Sequence, residues 1–474
     1  MVNSLNKTIT RFLLEHGAKS PVSFHMPGHK GSAIYRENGY GEFLDRIMDC
    51  DITEIPGADN LFQAEDVILE VMEKYRKLYC SKETYLLING SSAGIIAGIL
   101  ATVSKGGKLV MARNCHKSAF NALSLGDIEP VYAFPEIVDE YGILGEVTAK
   151  EIERCIIENP TAEAVILPSP NYYGILSDIE AIAEVTHRYG KTLIVDQAHG
   201  AHLKFFSAME GCEEMRPAEE LGADIVINST HKTLASFTQT AILNVMTDRV
   251  NLAVLEDKLQ VMESSSPSYP LMASLDINAS LLLEKGEKLF GEWIENLEWF
   301  YHEADGIEGL SLMKVKGMDI TKLNMDMSAY GVDGNQLEEL LMEKGIFVEL
   351  IAGNIAMGMT GIGNKRCDYE ALIAALKEIA SKNKLEKREK TEQPRALPRR
   401  LLRKAVPAER ESVHIDEAEG RVCAMSIIPY PPGIPIACPG EVLDRETLDY
   451  IRARKRANEK VIGLSSDMHI LVGK

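Results

Sequence analysis

From about Gln63 to Val250 the apolar residues of this chain follow two alternating rhythms. Short continuous runs rich in β-branched residues, Lys108–Ala112, Ala164–Leu167, Thr192–Val195, Asp224–Asn228 and Thr240–Val245, are separated by stretches with apolar residues at helical spacing. Continuous runs of this kind read as strands buried on both faces, which predicts an α/β domain with a mainly parallel sheet. Leu87-Ile88-Asn89-Gly90-Ser91-Ser92-Ala93-Gly94 closes a further strand and opens a predicted helix over Ile95–Val103. Ahead of this domain, residues 1–60 read as an arm, with a short amphipathic helix around Ile9–His16 and the loop His25-Met26-Pro27-Gly28-His29-Lys30-Gly31.

Beyond Ser264–Tyr269 the helical spacing persists to about residue 303, so the α/β domain is assigned to residues 61–300. Residues 301–381 form a predicted small α+β domain, in which Lys322–Met327 alternates like a half-exposed strand and Asn335–Lys344 reads as a helix. Residues 382–411 are basic and carry Pro394, Pro398 and Pro407; without interleaved aromatics they read as a solvated linker rather than an RNA-binding patch. The last domain, 412–474, contains Ile427-Ile428-Pro429-Tyr430-Pro431-Pro432-Gly433-Ile434-Pro435, whose prolines forbid a helix and demand a fixed, extended or turning backbone.

Length and composition narrow the class without naming it. A chain of 474 residues exceeds one ordinary core, and 45% hydrophobic with 26% charged residues is the balance of a soluble globular protein. No apolar run approaches the ~20 residues that span a bilayer, and Met1–Lys7 is followed by no signal-peptide core, so no membrane partner is expected. Eight scattered cysteines without Cys-x-x-Cys suit free thiols in a reduced cytoplasm. A net charge of −19 argues against general binding of nucleic acid, whose phosphates need a basic surface.

Candidate chemistry sits at the ends of the predicted strands. Asp196 closes one apolar run and Ser229-Thr230-His231-Lys232 follows another. Parallel strands deliver such residues to one crevice. A carboxylate and a lysine there fit a buried ion pair as well as a pyridoxal-phosphate site, in which the lysine takes the aldehyde and the aspartate keeps the ring nitrogen protonated. Gly90-Ser91-Ser92 at a helix start suits either a phosphate seat or a plain N-cap. His116, after the Lys108–Ala112 strand, is either a ring-stacking or a capping histidine. The spacings His199/His202 and His25/His29 permit metal chelation, but no third ligand accompanies them and no metal is assigned.

In this order the motifs resemble fold-type-I pyridoxal-phosphate enzymes, and more narrowly the bacterial Orn/Lys/Arg decarboxylase family. The resemblance runs over nearly the whole chain. It rests on His25–Gly31, Asp51-Ile52-Thr53-Glu54, Asn89–Ser92, Arg113–Ser118, Asp196–His202, Ser229–Leu234, Ser266-Pro267-Ser268-Tyr269, the Pro429–Pro435 run and Pro439-Gly440-Glu441. It implies the fold-type-I transferase fold with pyridoxal 5'-phosphate as cofactor. It also implies roles: Lys232 holds the cofactor covalently, Asp196 pairs with the ring nitrogen, and His116 and Ala198 face the ring. Ser92, the backbone of Ala93, Ser229 and His231 hold the phosphate, and His231 or Lys232 moves the proton. Ser265 reaches a phosphate across a dimer interface, and Glu349 meets the distal cation of the substrate.

Departures accompany the match. Gln197 stands where many relatives have Glu, and Leu61-Phe62-Gln63 replaces a histidine-bearing stretch near the substrate entrance. The flavodoxin-like N-terminal domain of the long enteric members is expected to be absent. The resemblance implies a cytoplasmic homodimer or higher homo-oligomer that decarboxylates a basic L-amino acid for polyamine biosynthesis. Arginine giving agmatine is the first expectation, with lysine giving cadaverine or ornithine giving putrescine as alternatives. Aminotransferase or lyase chemistry remains a second reading, with Arg366 as the candidate α-carboxylate clamp, and a non-catalytic cofactor-binding regulator a third.

Overall fold

In the computed structural model, which describes residues 8–138, 140–383, 403–429, 433–456 and 460–474, the apolar runs assemble side by side. Seven strands form the main sheet among these residues: β1 (Glu83–Leu87), β2 (Lys108–Ala112), β3 (Glu129–Ala133), β4 (Ala162–Pro168), β5 (Thr192–Asp196), β6 (Ile225–Asn228) and β7 (Ala241–Val245). Their order is β1-β7-β6-β5-β4-β2-β3. Neighbours from β6 to β3 run parallel, whereas β7 is antiparallel to both β1 and β6. Leu109, Val110, Val165, Ile194 and Val226 are fully buried, because helices cover the sheet and leave no strand face to water.

Two local differences from the sequence reading have plain causes. Strand β3 contains Pro130, which cannot donate to a ladder; it is tolerated because β3 is the edge strand. The helix read as Ile95–Val103 begins earlier, at Gly90, and runs to Thr102. Gly90-Ser91-Ser92, expected just ahead of the helix, are its first turn, entered through Gly90 at φ +78°.

Helix Tyr269–Asp305 links the two larger domains, with Pro270 in its first turn, where no intrahelical N–H is lost. It packs on helix Val67–Tyr79 at one end and on helix Arg366–Lys382 at the other. The second sheet is antiparallel, in the order Ser311–Leu312, Lys322–Asp326, Ile355–Met359, Leu350–Ala352. Lys322–Asp326 is not half-exposed as its alternation suggested. Lys322 is wholly buried because Asp319 and the His199 carbonyl receive its ammonium group. The arm contributes strand Val22–Phe24, which pairs in parallel with Ile346–Val348.

In the C-terminal domain Arg410–His414 pairs with His469–Gly473 over a core that includes Val413, Ile451 and Val472. Most of the basic linker (384–402), the extreme N-terminus and Tyr430-Pro431-Pro432 lie outside the described residues. No helix among the described residues is long and apolar enough to cross a membrane.

Candidate active site

Asp196 is the last residue of β5, in register with Pro168 of β4 and Ile227 of β6. Lys232 leaves β6 on the short helix Thr230–Thr233. Both line one cleft, at the carboxyl ends of parallel strands, together with His116, Ala198, His199 and Tyr172. The Lys232 Nζ lies 2.9 Å from His199 Nε2 and 5.9 Å from the centre of the Tyr172 ring. The cleft therefore unites four residues assigned to the cofactor from sequence and adds Tyr172 and His199, the second of which the sequence marked only by its spacing from His202.

His199 is the more important addition. Its Nδ1 is buried without a hydrogen-bond partner, and its ring packs on Tyr172 at 4.6 Å between centroids. Sequence spacing had paired it with His202, but the two imidazoles face different partners. His202 is turned into the domain boundary, against Asp319 Oδ1 at 3.1 Å and Thr233 Oγ1 at 3.2 Å. The signal that pointed to His199 was its position in the loop directly after Asp196, which had been read only as spacing.

Burial sets the charge state of the cleft. It lowers the Lys232 amine to about 8, against the raising influence of Asp196 and Glu349 and with help from Lys322. Burial also raises the Asp196 carboxyl, while Lys232 and the Ala198 N–H, 3.1 Å away, oppose it. His116 falls to about 3 and His231 to about 4, in both cases chiefly through desolvation. His199 drops well below its ordinary value for the same reason. At neutral pH these imidazoles are uncharged, so the lysine and the carboxylates dominate the local field.

The first turn of helix Gly90–Thr102 carries Ser91, Ser92 and Ala93, of which Ser91 lines the cleft. Helix-start N–H groups have no intrahelical partner, and Ser229 Oγ donates to Ser91 Oγ at 2.8 Å, so hydroxyls and amides cluster as an anion seat. His231 donates from Nδ1 to the Thr240 carbonyl at 2.7 Å, which leaves Nε2 as its basic nitrogen. His116 caps helix Lys117–Gly126, one of its two sequence readings, and it also lines the cleft. Glu349 accepts the Met26 N–H at 2.8 Å, with Lys30 as its strongest cationic influence. Ser265 is exposed between helix Leu252–Met262 and helix Tyr269–Asp305 and does not line the cleft. Arg366 lies over the Trp299 ring at 4.8 Å rather than in the cleft.

Gln197 has a structural reason to be an amide. Its Nε2 donates to Glu219 Oε2 at 2.8 Å and Asn228 Oδ1 at 3.0 Å, and its Oε1 accepts the Ala218 N–H at 2.8 Å. Glu219 is buried and also receives Asn228 and Asn244. Gln197→Glu is expected to replace a donor by a second carboxylate and to cost about 1–3 kcal/mol at pH 7, read by chemical denaturation. Two such carboxylates titrate above their unfolded values, so the cost shrinks as pH falls.

These residues fit pyridoxal phosphate. The buried, unpartnered Asn114 Oδ1 and His199 Nδ1 face a cleft that joins an amine, a carboxylate and an anion seat. Sheet order and site together define the fold of fold-type-I pyridoxal-phosphate enzymes. The crystal structure of the Francisella novicida lysine decarboxylase LdcF superposes with a TM-score of 0.75 at 20% identity, over 94% of this chain and 78% of that one.

The chain belongs to the Orn/Lys/Arg decarboxylase family: residues 8–322 match its major domain and residues 381–473 its C-terminal domain. It is 32% identical to the uncharacterized protein YaaO of Bacillus subtilis over 94% of this chain and 93% of that protein. It is 31% identical to the arginine decarboxylase of Bacillus anthracis, over 95% of this chain and 93% of the relative. The protein is accordingly a decarboxylase of basic amino acids.

Proposed function

We propose that this protein converts L-arginine to agmatine and carbon dioxide with pyridoxal 5'-phosphate bound in the cleft. The observation that carries the substrate is the 31% identity to an arginine decarboxylase along almost the entire chain. Lys232 would hold the cofactor covalently and Asp196 would meet its ring nitrogen. His116 and Ala198 would flank the ring, and Ser92, the Ala93 backbone, Ser229 and His231 would receive the phosphate. When bound, the cofactor supplies an electron sink for the pair released as the Cα–carboxylate bond breaks.

The chain's own residues do the rest. The cleft walls orient that bond, and Tyr172 and His199 exclude water from the side of Lys232. Nζ of Lys232, hydrogen-bonded to His199 Nε2, is placed to return a proton to Cα, with His231 as the other proton carrier. Glu349 receives the distal cation of the substrate. Ser265, exposed on its own subunit, reaches the phosphate of a second copy, so the working unit is a homodimer in the cytoplasm.

The test is a side-by-side assay of arginine, lysine and ornithine with the holoenzyme, identifying product amines by mass. Agmatine as the dominant product supports the reading. Cadaverine or putrescine in its place would reassign the substrate, and no carbon dioxide from any of the three would sink it. Cofactor loading adds a pH signature. Only the neutral Lys232 amine attacks an aldehyde, so uptake by apoprotein is expected to quicken as pH rises through about 8, followed by absorbance after rapid mixing.

A further inference from the structure

The proline-bearing segment of the C-terminal domain and Glu441 lie more than three hundred residues from the strand-end loop Arg113–Lys117, yet the two are joined. Arg113 is wholly buried. Its guanidinium donates to the Pro435 carbonyl at 2.6 Å and the Ile436 carbonyl at 2.9 Å, and lies 3.5 Å from Glu441 Oε2. Phe120 and Tyr132 cover its planar group at 5.3 and 5.1 Å. Glu441 is buried too, and the same Oε2 accepts the Cys438 N–H at 2.8 Å. At the other end of the loop, the Lys117 N–H donates to the Gly433 carbonyl at 3.3 Å. Residues 433–441 thus grip both ends of the segment that presents Asn114 and His116 to the cleft.

Stability alone is a poor reason for this arrangement. Arg113 Nε and Glu441 Oε1 are buried without partners, so the pair leaves desolvation uncompensated where an apolar pair would not. What the fork of a guanidinium does provide is fixed geometry between two backbones. We propose that Arg113 and Glu441 are positioning residues. They lock the loop to the C-terminal domain and so set His116 against the cofactor ring. This rests on the cofactor reading above.

The test measures pyridoxal-phosphate affinity of reconstituted apoprotein by absorbance, for wild type, Arg113→Lys and Glu441→Gln. Both variants are expected to bind about tenfold more weakly or worse, a loss on the scale seen when groups that orient a ligating side chain are removed. In a His116→Ala background the same substitutions are expected to add little, because their effect passes through that ring. Glu441→Gln keeps volume and carries the test if Arg113→Lys fails to fold. Full additivity with His116→Ala, or wild-type affinity in both variants, would overturn the proposal while leaving the cofactor reading intact. A wild type that takes up no pyridoxal phosphate would overturn that reading, and this inference with it.

Discussion

Replacing Lys232 by alanine is expected to reduce carbon dioxide release by about 10⁴-fold or more, the scale on which removing one member of an interdependent catalytic group acts. The reason is that one atom serves several roles. Nζ would hold the cofactor in the proposed mechanism, and it is hydrogen-bonded to His199 Nε2, where a proton can be moved. Arginine at this position would not rescue activity, since its guanidinium stays protonated and cannot attack an aldehyde. The fold should survive, because the amine is held in the cleft against a desolvation penalty that lowers it to about 8. The measurement pairs a product assay with a thermal melt. An alanine variant that melts like wild type and still turns over at a rate near wild type would remove Lys232 from the mechanism.

Asp196→Asn is expected to lower kcat by about 10²–10³-fold, the range for losing one preorganised electrostatic partner in a water-poor site. The amide keeps the shape of the side chain and removes only its charge, so under the proposed assignment the ring nitrogen would lose the group that keeps it protonated. A second readout separates this from misfolding. The Asp196 carboxylate raises the Lys232 pKa, so its removal should drop that amine below about 8. The pH midpoint for cofactor loading should therefore move down in Asp196→Asn. A midpoint that stays put, or moves up, would show that the carboxylate does not govern the amine.

Both effects concern residues found from sequence, and the reason is geometric. A buried parallel strand writes itself as an apolar run, and its C-terminal end is where the crevice must be, so Asp196 and the Ser229–Lys232 run could be placed without coordinates. Gly90-Ser91-Ser92 was legible for a related reason, since small and hydroxyl residues at a helix start suit an anion seat. The bounds were less legible. The helix reads from Ile95 rather than Gly90 because glycine and serine have poor helix propensity, and β3 was hidden by Pro130, which only an edge position tolerates.

What the sequence by itself determined is therefore the family, the main sheet and the residues at its strand ends, all written in local periodicity and adjacent motifs. What only the tertiary structure decided are contacts between segments far apart in the chain. Lys322 looked half-exposed until Asp319 and the His199 carbonyl enclosed it, and His199 looked like a metal spacing until its Nε2 met Lys232. Arg113 gave no sign of its hold on Pro435, Ile436 and Glu441. Periodicity reports which face of an element is buried, but not what buries it. The partner of a buried polar group is chosen by packing between domains, and no local pattern encodes that choice.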